Sequence, residues 1–422
     1  MLGVASSALG QAQEKVLYSF CSAANCTDGA APHGKLVSDG TGKVYGTTSN
    51  GGAYQEGTVF QLSPSNGAWT GTVLYSFCVN DVENCPDGGE PMAGPTFDNA
   101  GNLYGTTQGG GAYGLGSVFE LTPPGQGGGP WTETVLWSFG ATGDGQTPVS
   151  HLIFDAVGNL YGTTSGGGTY GGGTVFQLVP VGGGRWSENI LFSFGPDPFN
   201  GYAPEAAVAF DKSGNLYGTT YEGGAHDNAG WGVAYELSPN SQPPWTETVL
   251  FRFREGTGTN PLSALDFDSL GNIYGTLSSW GVNGGGGVFR LTPQGRENTV
   301  FFTGTPDGAA PGAGVSILGN ALYGTTMIGG SQNLGTFFRM RPKTKTILYN
   351  FCSLPGCADG EGPEGALILL GKSFLGTTVY GGANGKGGVV FQISEGASSR
   401  AKGLSAKSTQ AAKIRPAASG SR

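Results

Sequence analysis

Apolar residues along this chain come in short phrases, separated by glycine-rich stretches, and four such phrases recur in one order seven times. The second phrase is the most constant, reading "NLYGTT" at 102–107, 159–164 and 215–220. Its tyrosine is Tyr45, Tyr104, Tyr161, Tyr217, Tyr274 and Tyr323, with Leu375 in a degenerate seventh copy. Successive copies lie 59, 57, 56, 57, 49 and 52 residues apart, a period that belongs to a propeller or a solenoid. The first phrase is "GPTFD" (94–98), "HLIFD" (151–155) or "AVAFD" (207–211); the third is "GTVFQL" (57–62) and the fourth "TVLYSF" (72–77). Four short antiparallel strands joined by turn signals make one propeller blade. "TVLYSF" is apolar at odd and even positions alike, as expected of a sheet covered on both faces by its neighbours.

The register of the ends completes the fold. The chain starts with a fourth-strand phrase, "VLYSF" at 16–20, and its last phrase is a third strand, "VVFQIS" at 389–394. The expectation is an all-β, seven-bladed propeller over 14–394, with four-stranded antiparallel blades and the N-terminal strand as outer strand of the last blade. Closure of that kind removes open sheet edges. The glycine of "YGTT" costs roughly 0.5–1 kcal/mol against alanine inside a strand, so it predicts close approach to a neighbour's aromatic ring. In "FDAVGNLY" Asp155 is placed to accept from turn amides and Gly158 to adopt a positive φ; Asp39, Asp98, Asp211 and Asp268 are its equivalents.

Composition changes this picture little. With 81 glycines and 24 prolines the chain could be low-complexity, but 37 % hydrophobic residues in evenly spaced phrases argue for a folded protein. Charge is uneven: the formal −9 includes six basic residues and no acid in 396–422, so the rest stands at −15. That body repels nucleic acid and anionic lipid, and 395–422 reads as a disordered basic tail. Residues 1–13 read as the remnant of a truncated export signal, with Gly10-Gln11-Ala12 as a small-x-small cleavage pattern that lacks a basic leader. No run approaches the ~20 apolar residues of a membrane span, and a monomer is expected.

Together "GNLYGTT", "GTVFQL", "LYSFC" and "CxDGxxP" resemble the tandem GloVer repeat of exported bacterial proteins with interchangeable C-terminal anchors, over residues 14–394. The resemblance implies export to the periplasm, cell surface or medium, and a propeller. It implies no established enzymatic activity and carries over no catalytic residue. The chain departs from the pattern at its end, where a basic tail stands in place of a hydrophobic anchor.

Six cysteines form three close pairs after fourth strands, Cys21/Cys26, Cys78/Cys85 and Cys352/Cys357, and disulfides are expected. "DGxxP" elements precede the first strands, with Asp28, Asp87, Asp144, Asp307 and Asp359. The plain reading is turn initiation stopped by proline. The sharper one is a ring of carboxylates at the channel mouth that binds calcium, a cation taking about 6–8 oxygens. On the same face units four and five carry longer loops, placing Tyr221, Glu222, His226, Trp231 and Trp280 as candidate ligand contacts. Trp69, Trp131, Trp186 and Trp245 recur just before fourth strands and read as packing residues. There is no nucleophile elbow, no HExxH and no paired Cys/His metal spacing, and His33, His151 and His226 share no motif. These features favour a non-catalytic binding or scaffold module for a glycan or an extracellular protein. The alternative is a polysaccharide- or lactone-processing enzyme on the same scaffold, with the loop-face carboxylates and His226 at its centre.

Overall fold

The computed structural model describes residues 12–79, 84–125, 128–224, 230–342 and 344–395. Seven antiparallel sheets form a ring, a seven-bladed β-propeller; each has the four blade strands, and two add a short strand ahead of the first, Thr259–Pro261 and Glu361–Pro363. Blade one is typical, with Val37–Ser38, Val44–Thr48, Thr58–Ser65 and Ala68–Ser76 hydrogen-bonded in that order from the axis outward. The seam lies where the sequence puts it. Gln13–Ser19 pairs antiparallel with Val389–Ser394, Gln13 opposite Ser394 and Ser19 opposite Val389, as the outer strand of blade seven.

Two details differ from the sequence reading. The first strands are only two or three residues long, such as Thr96–Phe97 and Ile153–Phe154, because the residues ahead of them turn to line the central channel instead of pairing. In six fourth strands one leucine is bulged out of the ladder. Phe176 opposes Ile190 while Val175 opposes Phe192, so Leu191 has no partner and turns into the core at 1 % exposure. Thus an extra residue with its local twist, as well as two-sided cover, accounts for the unbroken apolar run of this phrase.

Aromatic rings join the blades. The phenylalanine that ends each fourth strand packs on the aromatic residue of the next blade's third strand. Phe20–Phe60, Phe77–Phe119, Phe139–Phe176, Phe194–Tyr235, Phe253–Phe289, Phe302–Phe338 and Phe351–Phe391 all have centroids 4.9–5.1 Å apart. The seam pair Phe20–Phe60 matches the other six, so closure repeats the contact used between all neighbours. A second aromatic series also joins neighbouring blades, with Tyr45 on Phe97 and Trp131, and Tyr104 on Phe154 and Trp186. The tryptophans ahead of fourth strands are packing residues, as their regularity suggests.

The strand glycine has a local cause. A Cβ on Gly105 would lie 2.5 Å from Cζ of Phe119, its cross-strand partner, and one on Gly46 would lie 2.6 Å from Cζ of Phe60. The aromatic ring belongs to the same blade, and the missing Cβ lets it lie flat across the strand. The turn aspartates also behave as expected: Asp155 accepts from the amides of Val157 (3.0 Å) and Asn159 (2.9 Å), and Gly158 has φ +94°.

Candidate functional site

The connector entering each blade lies beside the loop between that blade's second and third strands. Bridges Ala30–Asn50, Gly89–Gly109, Tyr202–Glu222 and Ala309–Ile328 fix this pairing. The "DGxxP" elements and the longer loops of units four and five therefore share one face. Residues just after the connector prolines line a channel of about 330 Å³ on the axis.

The channel wall is mostly small and apolar residues, and the titratable side chains set into it break the sevenfold symmetry. His33, Lys35, His151, Glu205 and Glu364 all contribute to its wall. His33 Nδ1 lies 2.6 Å from Glu364 Oε2, a hydrogen bond across the seam between blades one and seven. Burial, with Lys35 nearby, holds His151 down at about 4, so it is neutral at pH 7. Burial and the neighbouring Glu222 push the Glu205 carboxyl upward. The sequence reading kept His33 and His151 apart as unrelated singletons, and the structure puts them in one channel. Their spacing was the available signal: His33, Glu205 and Glu364 each follow the connector proline by one residue, Lys35 and His151 by three.

The aspartates expected to ring the channel mouth do not line it. Each is drawn back over the end of a fourth strand by donors of its own turn. Asp87 accepts from the Tyr75 hydroxyl (2.7 Å) and the amides of Cys78 (2.9 Å) and Val79 (3.1 Å). Asp359 accepts from the Tyr349 hydroxyl (2.7 Å) and the amides of Ser353 (2.8 Å) and Leu354 (3.1 Å). Asp28 accepts from the Tyr18 hydroxyl and the Ala23 amide, Asp144 from the Trp137 indole, and Asp307 from the Thr303 amide. The three cysteine pairs beside these turns are disulfides, Cys21–Cys26, Cys78–Cys85 and Cys352–Cys357. Among the described residues the one close trio of metal-ligating side chain types is Cys352, Cys357 and Glu361, where both sulfurs are already bonded to each other.

Four of the five loop-face candidates come together beside the mouth; His226 lies outside the described residues. Tyr221 and Glu222 follow the second strand of blade four, and Tyr221 is pushed upward by burial, then by Glu205 and Glu222. Asn260 ties the two blades together: its amide donates to the Trp231 carbonyl (3.0 Å) and its side chain to the Tyr221 carbonyl (3.1 Å). The rings of Trp231 and Trp280 are 5.4 Å apart at 53°, and Trp280 is 45 % exposed.

Trp280 also occupies an unusual backbone position. Three residues past the second threonine of "YGTT", six units have glycine with φ between +71° and +83°: Gly51, Gly110, Gly167, Gly223, Gly329 and Gly381. Unit five has Trp280 there, at φ +56°. A left-handed backbone costs an L-residue roughly 1–2 kcal/mol, and a bulky residue held there marks a constrained site. Aligning the repeats on this glycine would have singled out Trp280 from sequence.

A family model described as the Gloeobacter/Verrucomicrobia repeat matches residues 80–270 and 265–416. No curated protein matches the chain. Among solved structures, it is similar to the extracellular domain of BT4673 from B. thetaiotaomicron, with a TM-score of 0.55 and 13 % identity over 92 % of this chain and 42 % of that one. It is also similar to a puromycin-hydrolyzing peptidase of Mycobacterium tuberculosis (TM-score 0.50, 12 % identity, 89 % of this chain and 54 % of that one). A puromycin hydrolase gives a TM-score of 0.54 at 10 % identity, over 83 % of this chain and 50 % of that one. At these identities the likeness is one of fold alone.

Proposed function

The chain belongs to the Gloeobacter/Verrucomicrobia repeat family, and from that premise we propose that it is an exported, non-catalytic binding module that takes a carbohydrate at the channel mouth over blades four and five. Export is supported by three disulfides in a bacterial repeat family, since such bonds persist in oxidising compartments. Among the described residues no helix is long and apolar enough to cross a membrane.

The observation that carries the binding reading is Trp280, a half-exposed indole held at a left-handed position where six other units use glycine. Strain retained at one point of a repeat supports a local function. Indole faces suit the C–H face of a pyranose, because they are broad and apolar with a polar edge. Trp231 packs against Trp280, and Tyr221, Glu222 and Glu205 offer a hydroxyl and carboxylates to ring hydroxyls beside it. The lack of a nucleophile elbow, an HExxH or a paired Cys/His metal spacing in the sequence favours binding over catalysis.

The test is a glycan array on the full chain, followed by calorimetry on the best ligand. Trp280→Gly is the decisive variant, because its backbone suits the position: the fold survives and affinity falls at least tenfold. Unchanged affinity in both Trp280→Gly and Trp231→Ala refutes the reading. Polysaccharide turnover that Glu222→Gln abolishes replaces it with an enzymatic one.

A further inference from the structure

Every fourth strand carries one residue opposite the last apolar residue of the third strand, and this residue faces the connector entering its own blade. Across the seven blades the position holds glycine once, lysine once and glutamate five times. In blade six it is Lys345, opposite Met340; its ammonium pairs with Asp307 Oδ2, donates to the Phe301 carbonyl and lies 4.4 Å from the centroid of Phe302. In blade one it is Gly71, where a Cβ would lie 2.6 Å from the ring of Tyr18, whose hydroxyl satisfies Asp28. In blade five it is Glu297; that connector has Thr257 instead of aspartate, and the Thr299 hydroxyl donates to Glu297.

Blades three, four and seven carry Glu188, Glu247 and Glu14 there, each with a buried Oε1 that has no hydrogen-bond partner and with Asp144, Asp197 or Asp359 nearby, and blade two carries Glu133. Glu133, opposite Leu121, faces Asp87, and its Oε1 is buried without a hydrogen-bond partner. Asp87 is 5 % exposed; Oδ2 takes all three of its hydrogen bonds and Oδ1, also buried, takes none. A buried carboxylate without a counter-charge is strongly unfavourable, and two facing each other more so. The neutraliser is a proton or a cation. In blades three, four and seven a proton suffices, because the aspartate's Oδ1 is already occupied, accepting from the amides of Gly145, Phe199 and Leu354 respectively. In blade two both carboxylates keep an orphaned oxygen, Asp87 Oδ1 and Glu133 Oε1.

We propose that the junction between blades one and two binds a hard divalent cation of the calcium class between Asp87 and Glu133, in the place where Lys345 supplies the positive charge between blades five and six. Asp87 Oδ1 and Glu133 Oε1 are the two anionic ligands. The Ser76 carbonyl, which corresponds to the Phe301 carbonyl bonded by Lys345, is the third oxygen on the protein, and water completes a shell of about 6–8. Two negative charges and one divalent ion leave the junction neutral, as Asp307 and Lys345 leave theirs. Trivalent or soft ions fit less well, the first in charge and the second in donor type.

The experiment uses the full chain, stripped with EDTA, in equilibrium dialysis against calcium and in thermal melts with and without it. Calcium raises the melting temperature of the unaltered protein. Glu133→Gln and Asp87→Asn each bind one ion fewer per chain. Glu133→Lys also loses one ion, and its melting temperature in EDTA matches or exceeds that of the unaltered protein in EDTA. Equal stoichiometry in the unaltered protein and these variants overturns the proposal, as does no binding at all. Stability indifferent to calcium that instead falls between pH 7 and pH 9, and no longer does so in Glu133→Gln, identifies a proton between the carboxylates and also overturns it.

Discussion

Substituting alanine at Gly105 tests the reason for the glycine inside the repeat's most constant strand. Its φ is not left-handed, so backbone conformation does not oppose alanine and the argument is purely steric. The new Cβ would lie 2.5 Å from Cζ and 2.8 Å from Cε1 of Phe119, whereas carbon atoms pack at about 3.5–4.0 Å. The ring must therefore move about 1 Å. It has nowhere to go: Phe119 is fully buried, with Phe77 of the preceding blade 5.1 Å away on its other side. Overpacking of this kind costs typically about 1–3 kcal/mol, and the reduced entropy of the unfolded chain returns about 0.4–1 kcal/mol. The expected net loss is about 1–2 kcal/mol, or a few degrees of melting temperature by calorimetry. Phe119→Leu should relieve the clash, so in a double-mutant cycle it costs at least ~0.5 kcal/mol less in the Gly105→Ala background than alone. A neutral or stabilising Gly105→Ala, or additive single effects, would falsify the steric account.

Further outcomes follow from the ring and the channel. Deleting residues 12–20 uncovers the edge of Val389–Ser394 and removes Phe20 from Phe60, so cooperative melting should be lost and a peptide of residues 12–22 should restore it; a truncated chain that melts like the full one contradicts closure. Because His151 is held at about 4 against an ordinary 6.5, the unfolded chain binds a proton before the folded one does as pH falls. His151 therefore contributes stability that is complete above pH 6.5 and lost down to pH 4, about 3 kcal/mol at most; urea midpoints should fall less steeply over this range in His151→Gln, and identical slopes would disprove the assignment. Replacing Cys78 and Cys85 by serine opens a loop of separation 7 and should cost about 2.5 kcal/mol in the chain-entropy picture, measured by denaturant unfolding, with the other two bridges intact. Loss of binding without loss of fold in Trp280→Gly is the corresponding test of the mouth.

The sequence by itself determined the number of blades, the four strands of each and the place where the ring closes. A period near 57 residues counts the units, and the offset between the first phrase and the last leaves one blade short of the strand that the N-terminus supplies. The turn aspartates, the packing tryptophans and the cysteine pairs were legible too, because each answers to neighbours a few residues away. Only the tertiary structure decided which distant side chains meet. His33 and Glu364 are 331 residues apart and touch across the seam, and Asp87 and Glu133 belong to different phrases whose facing depends on the outer strand's register. The bulged leucine sets that register, and it leaves no mark in a phrase that is apolar throughout. Local turn chemistry is written in adjacent residues, whereas a channel or a junction arises when each blade rotates around a common axis and brings chosen positions of separate repeats onto one wall.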